Sequence, residues 1–243
     1  MRILKRNDYD LKKECIMNKF ILTTIFFSLV LYTTACSTNK TNEAPVASSQ
    51  NQSNESVEHE HSHEQTKASQ GIFEDSEVKD RELSDWEGSW KSIYPYLVDG
   101  SLDEVFEKKA KDGDKTFEEY KEYYKEGYQT DINSIDINKG IISFHMNDKW
   151  ETAEYNYDGY EILTYESGKK GVRYLFSSVE NNSKAPKFIQ FSDHIIEPQK
   201  SGHFHIYMGN ESHKELLSEM TNWPTYFPES MSKKDIIHDM LYH

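Results

Sequence analysis

Through the middle of the chain, short runs rich in β-branched and aromatic residues alternate with turn formers. Residues 141–146 (IISFHM), 152–157, 160–165, 172–176 and 188–191 each have this character. Runs of this kind predict β-strands. Asp158-Gly159 predicts a two-residue hairpin, and Ser167-Gly168-Lys169-Lys170-Gly171 a further turn. Five or six closely spaced strands with no helical spacing between them should pair antiparallel, as a strongly curved sheet or a small barrel. On either side the period becomes helical. Leu102, Val105, Phe106 and Ala110 follow Ser101-x-x-Glu104, and Phe117, Tyr120, Tyr123 and Tyr124 follow Thr116-x-x-Glu119. A hydroxyl followed three residues later by a carboxylate is a capping box. Ser84-x-x-Glu87, Ser212-x-x-Glu215 and Ser232-x-x-Asp235 repeat the signal. The Tyr and Phe stripes are expected in the core, giving a mainly β body with flanking helices.

The N-terminal third follows neither pattern. Residues 20–32 form a 13-residue apolar run behind Lys19, short of the about 20 helical residues that span a bilayer. This reads as an export signal. Met17 is a natural start, which makes residues 1–16 an upstream extension and 17–36 the signal proper. Thr33-Thr34-Ala35-Cys36 resembles the lipobox of bacterial lipoproteins, although Thr33 stands where that pattern has Leu. It implies lipidation at Cys36 and a membrane lipoprotein facing outside the cytoplasm, with a simply cleaved or uncleaved signal as the alternative. Residues 37–70 are Ser, Asn, Gln, Thr, Glu and Lys without an aromatic, the composition of a tether with a coil reach of roughly 30–35 Å. Within it His59, His61 and His63 alternate with Glu and Ser, a tract suited to loose metal capture or simply to solvation. The body is residues 71–243.

Composition narrows the chemistry. Forty-two acidic against 28 basic side chains give a formal charge of −14, which excludes nucleic-acid binding by phosphate neutralisation. Cys15 and Cys36 are the only cysteines, so the body has neither disulfides nor thiolate ligands. A metal there must be held by nitrogen or oxygen.

The nitrogen ligands cluster late in the chain. In His203-Phe204-His205-Ile206-Tyr207-Met208 successive side chains of a strand point to opposite faces. His203, His205 and Tyr207 then share one face, and Phe204, Ile206 and Met208 form an apolar stripe for packing beneath a helix. The turn-forming stretch before His203 lets His194 fold back beside the pair. Three imidazoles with one open position suit exchangeable or catalytic zinc. A polar surface strand is the plainer alternative. His145 reads as an ordinary strand histidine, and His213 and His238 as solvated helix residues.

Longer runs carry a family resemblance. They are Trp86-Glu87-Gly88-x-Trp90 with Ser92-x-Tyr94-Pro95, Tyr157-Asp158-Gly159-Tyr160, residues 167–176, Lys184-Ala185-Pro186-Lys187, residues 190–196, His203-Phe204-His205-Ile206 and Asn222-Trp223-Pro224-Thr225-Tyr226. Together they resemble the ZinT (YodA) family over residues 71–243. The resemblance implies a lipocalin-like (calycin) antiparallel β-barrel with added helices, holding Zn²⁺, and Cd²⁺ or related ions, through His194, His203 and His205. It also implies zinc delivery to the substrate-binding protein of a zinc ABC importer. Family chains tend to end in histidine, which makes His243 a candidate for a secondary ion beside His59, His61 and His63. Water, a carboxylate or a tract histidine is admissible as fourth ligand. Two other classes compete with a binding protein: a zinc-dependent hydrolase or hydratase using a three-histidine open site, and a lipocalin-type carrier of a small organic ligand. Neither an H-E-x-x-H helix nor a serine nucleophile elbow occurs, so the chain is not expected to be an enzyme.

Overall fold

The computed structural model describes residues 66–180 and 183–242. The signal segment with Cys36, the tract histidines His59, His61 and His63, and His243 lie outside the described residues. Among the described residues eight strands close a barrel: β1 (Gly88–Ser92), β2 (Ile132–Asn138), β3 (Ile141–Met146), β4 (Lys149–Thr164), β5 (Lys170–Ser178), β6 (Phe188–Ser192), β7 (Phe204–Gly209) and β8 (Thr225–Pro228). Each strand runs antiparallel to its neighbour, and β8 pairs back onto β1. Alternation fills the barrel. Ile135 and Ile137, Ile142 and Phe144, Phe204 and Ile206, and Tyr226 point inward and are almost fully buried. Trp86 plugs one end, its ring stacked on Phe191 at 4.9 Å, and Phe191 meets Phe204 edge-on at 5.0 Å. Burying each such side chain contributes about 1.5–3 kcal/mol.

The helices form a second layer outside the barrel wall. They are α1 (Tyr94–Val98), α2 (Asp103–Asp112), α3 (Phe117–Tyr128), α4 (His213–Leu217) and α5 (Lys233–Tyr242). Ile93, Leu97, Leu102, Val105, Phe106, Tyr128, Ile236 and Met240 make a separate core, and β8 contributes Phe227 to it. Thus β8 turns Tyr226 inward and Phe227 outward. The capping box at Thr116 forms both of its hydrogen bonds, and Ser212 and Ser232 accept from the amides of Glu215 and Asp235.

Other expectations require correction. Ser84 begins no α-helix: residues Leu83–Trp86 make one 3₁₀ turn that runs into β1. Helix α2 starts without a side-chain cap from Ser101. Asp158-Gly159 is not a hairpin but a bulge within the 16-residue β4, where Tyr157 faces Phe176 and Gly159 faces Leu175. A two-residue hairpin of this sequence type needs φ > 0 at both central residues. Lys139-Gly140 and Asn147-Asp148 meet that demand, at +50° and +81° and at +50° and +59°, and these are the tight turns of the β2–β3 and β3–β4 hairpins. At the domain entrance, Thr66 to Gly71 form a hydrogen-bonded turn rather than free tether, and Ala68 packs on the barrel core.

Candidate metal centre

β6 and β7 are paired so that Ser192 lies opposite His205. The loop between them leaves β6 through Asp193-His194 and re-enters at His203, one residue before β7. Out and back along neighbouring strands, it returns His194 to the pair. The ring centroids lie 6.0 Å (His194–His203), 5.4 Å (His194–His205) and 5.9 Å (His203–His205) apart. One ring nitrogen of each comes within 4.8 Å of the others. A tetrahedral zinc with nitrogens at about 2.0–2.1 Å asks for nitrogen separations near 3.3 Å, within the range that side-chain rotation spans. His203 is buried, His205 half-buried and His194 exposed, so the trio has a closed side and an accessible one.

A charge far away in sequence holds the loop. Arg81 donates to Asp193 at 2.7 Å and Asp85 at 2.8 Å through its side chain, and to the carbonyl oxygens of Gln199 at 2.7 Å and Ile195 at 3.4 Å. Its guanidinium also lies 4.0 Å over the Trp86 ring. Burial pushes the Asp193 carboxyl up, against the pull of Arg81. For Arg81 burial acts downward, but Asp193 and Asp85 outweigh it, and the guanidinium is held above its ordinary value, fully charged. Breaking one partner of a buried pair costs about 3–5 kcal/mol because the other charge stays behind. His194 itself sits at φ +64°, the left-handed region that few side chains enter but histidine does more often than most.

Two further contacts orient the rings. His205 Nδ1 lies 2.7 Å from Thr225 Oγ1, across the β7–β8 ladder. The Thr225 hydroxyl gives its only proton to the carbonyl oxygen of Trp223 at 3.0 Å. With that proton committed, its oxygen is an acceptor for a His205 Nδ1–H, the tautomer that leaves Nε2 free for a metal. His203 stacks on Phe227 at 5.0 Å, and its Nδ1 lies 3.8 Å from Asp239 Oδ2 on α5.

Two adjoining cavities border the trio. One, of about 270 Å³, opens behind it toward the helical layer and is lined by Lys109, Tyr124, Tyr128, Asp239 and Met240. Burial lowers the Lys109 ammonium below its ordinary value. The other, of about 630 Å³, adjoins the first at Tyr123, Trp223, His194 and His205 and extends past Phe73, Tyr165 and Tyr207. It supplies a route for an ion or an exchanging ligand.

The remaining histidines fall elsewhere. His145 packs against Trp150 at 4.9 Å, away from the trio. His213 is not the solvated residue expected: its Nε2 lies 3.0 Å from Asp158 Oδ2, and its ring meets Phe188 edge-on. His238 is exposed beside Tyr242. The Phe204 and Ile206 stripe packs inside the barrel, not beneath a helix, so His205 faces outward, next to the β6–β7 connection that carries His194 and His203. Arg81, Thr225, Phe227 and Asp239 were not anticipated as supporting residues; Arg81 stands 112 positions before the carboxylate it binds.

A closed antiparallel barrel with three imidazoles converging where β6 connects to β7 defines the class of lipocalin-like barrels with a candidate nitrogen-ligand metal site. Comparison with known proteins then places the chain: it belongs to the ZinT (YodA) periplasmic lipocalin-like zinc-recruitment family, which matches residues 64–243. It is 53% identical over 181 residues to the probable metal-binding protein YrpE of Bacillus subtilis, covering 74% of this chain and 72% of that one. To the zinc-binding lipoprotein AdcA of Streptococcus pneumoniae it is 47% identical over 182 residues, 74% of this chain but 36% of AdcA. The crystal structure of the Zn(II)-bound ZinT-like domain of that AdcA superposes with a TM-score of 0.70 at 46% identity, covering 73% of this chain and 99% of the domain. The chain thus spans about a third of AdcA.

Proposed function

We propose that this chain is an exported zinc-binding protein that captures Zn²⁺ through His194, His203 and His205 and passes it to the substrate-binding protein of a zinc ABC importer. The observation that carries the reading is the convergence of one nitrogen from each histidine within 4.8 Å, with a cavity giving access from one side. An ion held by three neutral imidazoles and reachable from solvent can be handed on, because a partner's ligand enters before the old ones leave. The neighbours described as zinc-binding or metal-binding proteins support the same cargo and a binding rather than a catalytic role. Cd²⁺ offers a similar coordination preference and is a natural competitor, and Cu²⁺ outranks Zn²⁺ at such ligands in intrinsic affinity. Lipidation at Cys36 would hold the domain outside the membrane on the tether of residues 37–70, with His59, His61, His63 and His243 as secondary, weaker ligands. The barrel interior, filled by Trp86, Phe144, Phe176, Phe191 and Phe204, argues against a lipocalin-type organic ligand within it.

The test is a zinc competition titration against a chelator of known affinity, on the mature chain and on H194A/H203A/H205A. One tight zinc per chain that disappears in the folded triple variant is the expected result. Equal binding by both would overturn the ligand assignment. Transfer is tested by mixing the loaded protein with the importer's apo substrate-binding protein and following zinc after separation. Retention of the ion by this chain would remove the delivery step.

A further inference from the structure

The C-terminal helix α5 enters the centre at one point. Ile236 and Met240 anchor it in the helical core, both nearly fully buried, and Asp239 between them is brought to His203. The His203 Nδ1 to Asp239 Oδ2 separation is 3.8 Å, with side chains only 8% and 9% exposed. Phe227 lies flat against one face of the His203 ring, 5.0 Å between centroids and 19° between planes, which favours keeping the ring in that plane. Its two nitrogens occupy opposite edges. With Nδ1 toward the helix, Nε2 is the edge left for an ion shared with His194 and His205. The neighbouring histidine is built alike: His205 Nδ1 lies 2.7 Å from Thr225 Oγ1. Histidines that bind metals commonly give their second N–H to a carboxylate, which fixes the tautomer and makes the ligating nitrogen more basic.

We propose that Asp239 is the positioning carboxylate of His203: it accepts the Nδ1 proton, presents Nε2 to the ion, and makes helix α5 a working part of the centre. Hydrogen bonds to catalytic or ligating groups are often long before the ligand arrives and tighten with it, and 3.8 Å closes with a shift of about 1 Å, to the 2.7–2.9 Å of a charge-assisted bond. The inference rests on the three-histidine zinc reading. It adds that undocking α5 weakens the ion's hold, which gives a protein that takes up the zinc a lever far from the ligands themselves.

The experiment uses the full mature chain. Asp239→Asn keeps the size of the side chain and removes its charge, and its zinc affinity should fall about 10–100-fold while the metal-free protein melts at the wild-type temperature. Long-range ¹H–¹⁵N correlation of the zinc-loaded wild type should show His203 ligated through Nε2 with Nδ1 protonated. That second readout needs no variant, so it decides the matter even if Asp239→Asn does not fold. Unchanged affinity in Asp239→Asn, or His203 ligated through Nδ1, overturns the proposal. Loss of zinc as complete as in H194A/H203A/H205A overturns it too, making Asp239 a direct ligand. Failure of the wild type to bind zinc tightly would instead bring down the three-histidine reading on which this one stands.

Discussion

On β7 and β8 the inward side chains Phe204, Ile206 and Tyr226 alternate residue by residue with the outward His205, Tyr207, Thr225 and Phe227. The inward set is apolar or aromatic and almost fully buried, with Phe204 touching Trp90, Phe191 and Tyr226 at 4.7, 5.0 and 5.6 Å. The outward set is held by directed contacts: His205 by Thr225, Tyr207 by the Arg173 guanidinium 3.5 Å above its ring, and His203 by Phe227. Burial without direction makes the barrel stable. Hydrogen-bond chains and ring stacking aim the nitrogens. Because a strand reverses face at each residue, one short segment serves both purposes, and the two are separable by perturbation.

Acid should separate them most widely. A ligating imidazole must be neutral, and a free histidine titrates near 6.5, so protons compete with zinc below that pH. If all three nitrogens are ligands, affinity approaches a loss of three decades per pH unit, or about four orders of magnitude between pH 6.5 and pH 5. The apolar barrel interior has no such dependence. Zinc titration and far-ultraviolet circular dichroism over the same pH range should therefore show the ion leaving a folded barrel. An affinity that stays flat to pH 5 would contradict three-histidine ligation.

Adjacent residues sharpen the comparison. Phe204→Ala removes an aromatic ring from the packed interior and should cost about 3–5 kcal/mol by urea denaturation, while the folded fraction keeps its zinc affinity. His205→Ala, one position along, should cost about 1 kcal/mol of stability but weaken zinc by more than about 100-fold, beyond the loss expected of an outer partner. If the two variants lost zinc and stability in the same proportion, the faces would not be independent.

Arg81→Met crosses the division, because Arg81 lies under Trp86 in the core and also ties down the loop of His194. It strands the Asp193 carboxylate in the interior, and a loss of about 3–5 kcal/mol is expected, together with weaker zinc binding. Adding Asp193→Asn removes the orphaned charge and should restore part of the stability without restoring affinity. Full recovery of both would mean that the pair has no positioning role.

These variants also mark what was legible in the sequence. β3 and β7 could be read because one buried face imposes alternation, and β5 and β6 because they are short continuous apolar runs, buried on both faces and bounded by turn formers. β2 loses its parity at a register shift between Ile132 and Ser134, β1 offers Trp90 among small and polar residues, and β8 is four residues long and ends in Pro228. Closure therefore came from the family resemblance rather than from periodicity. In the centre, His203 and His205 were placed by the two-residue period of a strand and His194 by the returning loop. Arg81 and Asp239 carry no local signal; they reach the site from the irregular stretch before the Leu83–Trp86 turn and from helix α5, which only tertiary packing brings near.

Asp158-Gly159 is the place where local chemistry misled most plainly, and it yields the smallest predicted effect. Residues 160–164 continue the pairing of β4 with β5 beyond the bulge, so a reversal at residue 158 would forfeit a ladder that the long β5 is there to complete. Asp158 is instead drawn out to meet His213 at 3.0 Å. Only Gly159 takes positive φ here, +105°, with open space where a Cβ would stand. Gly159→Ala should thus cost about 1 kcal/mol from backbone conformation alone, with zinc affinity unchanged. In a true hairpin tip the same change would disturb strand register, so a large loss of stability or a shifted pattern of amide protection in β4 and β5 would restore the hairpin. A small loss with protection intact on both sides of residue 159 would fix the bulge as a bend in one continuous strand, on the side of the barrel that serves stability.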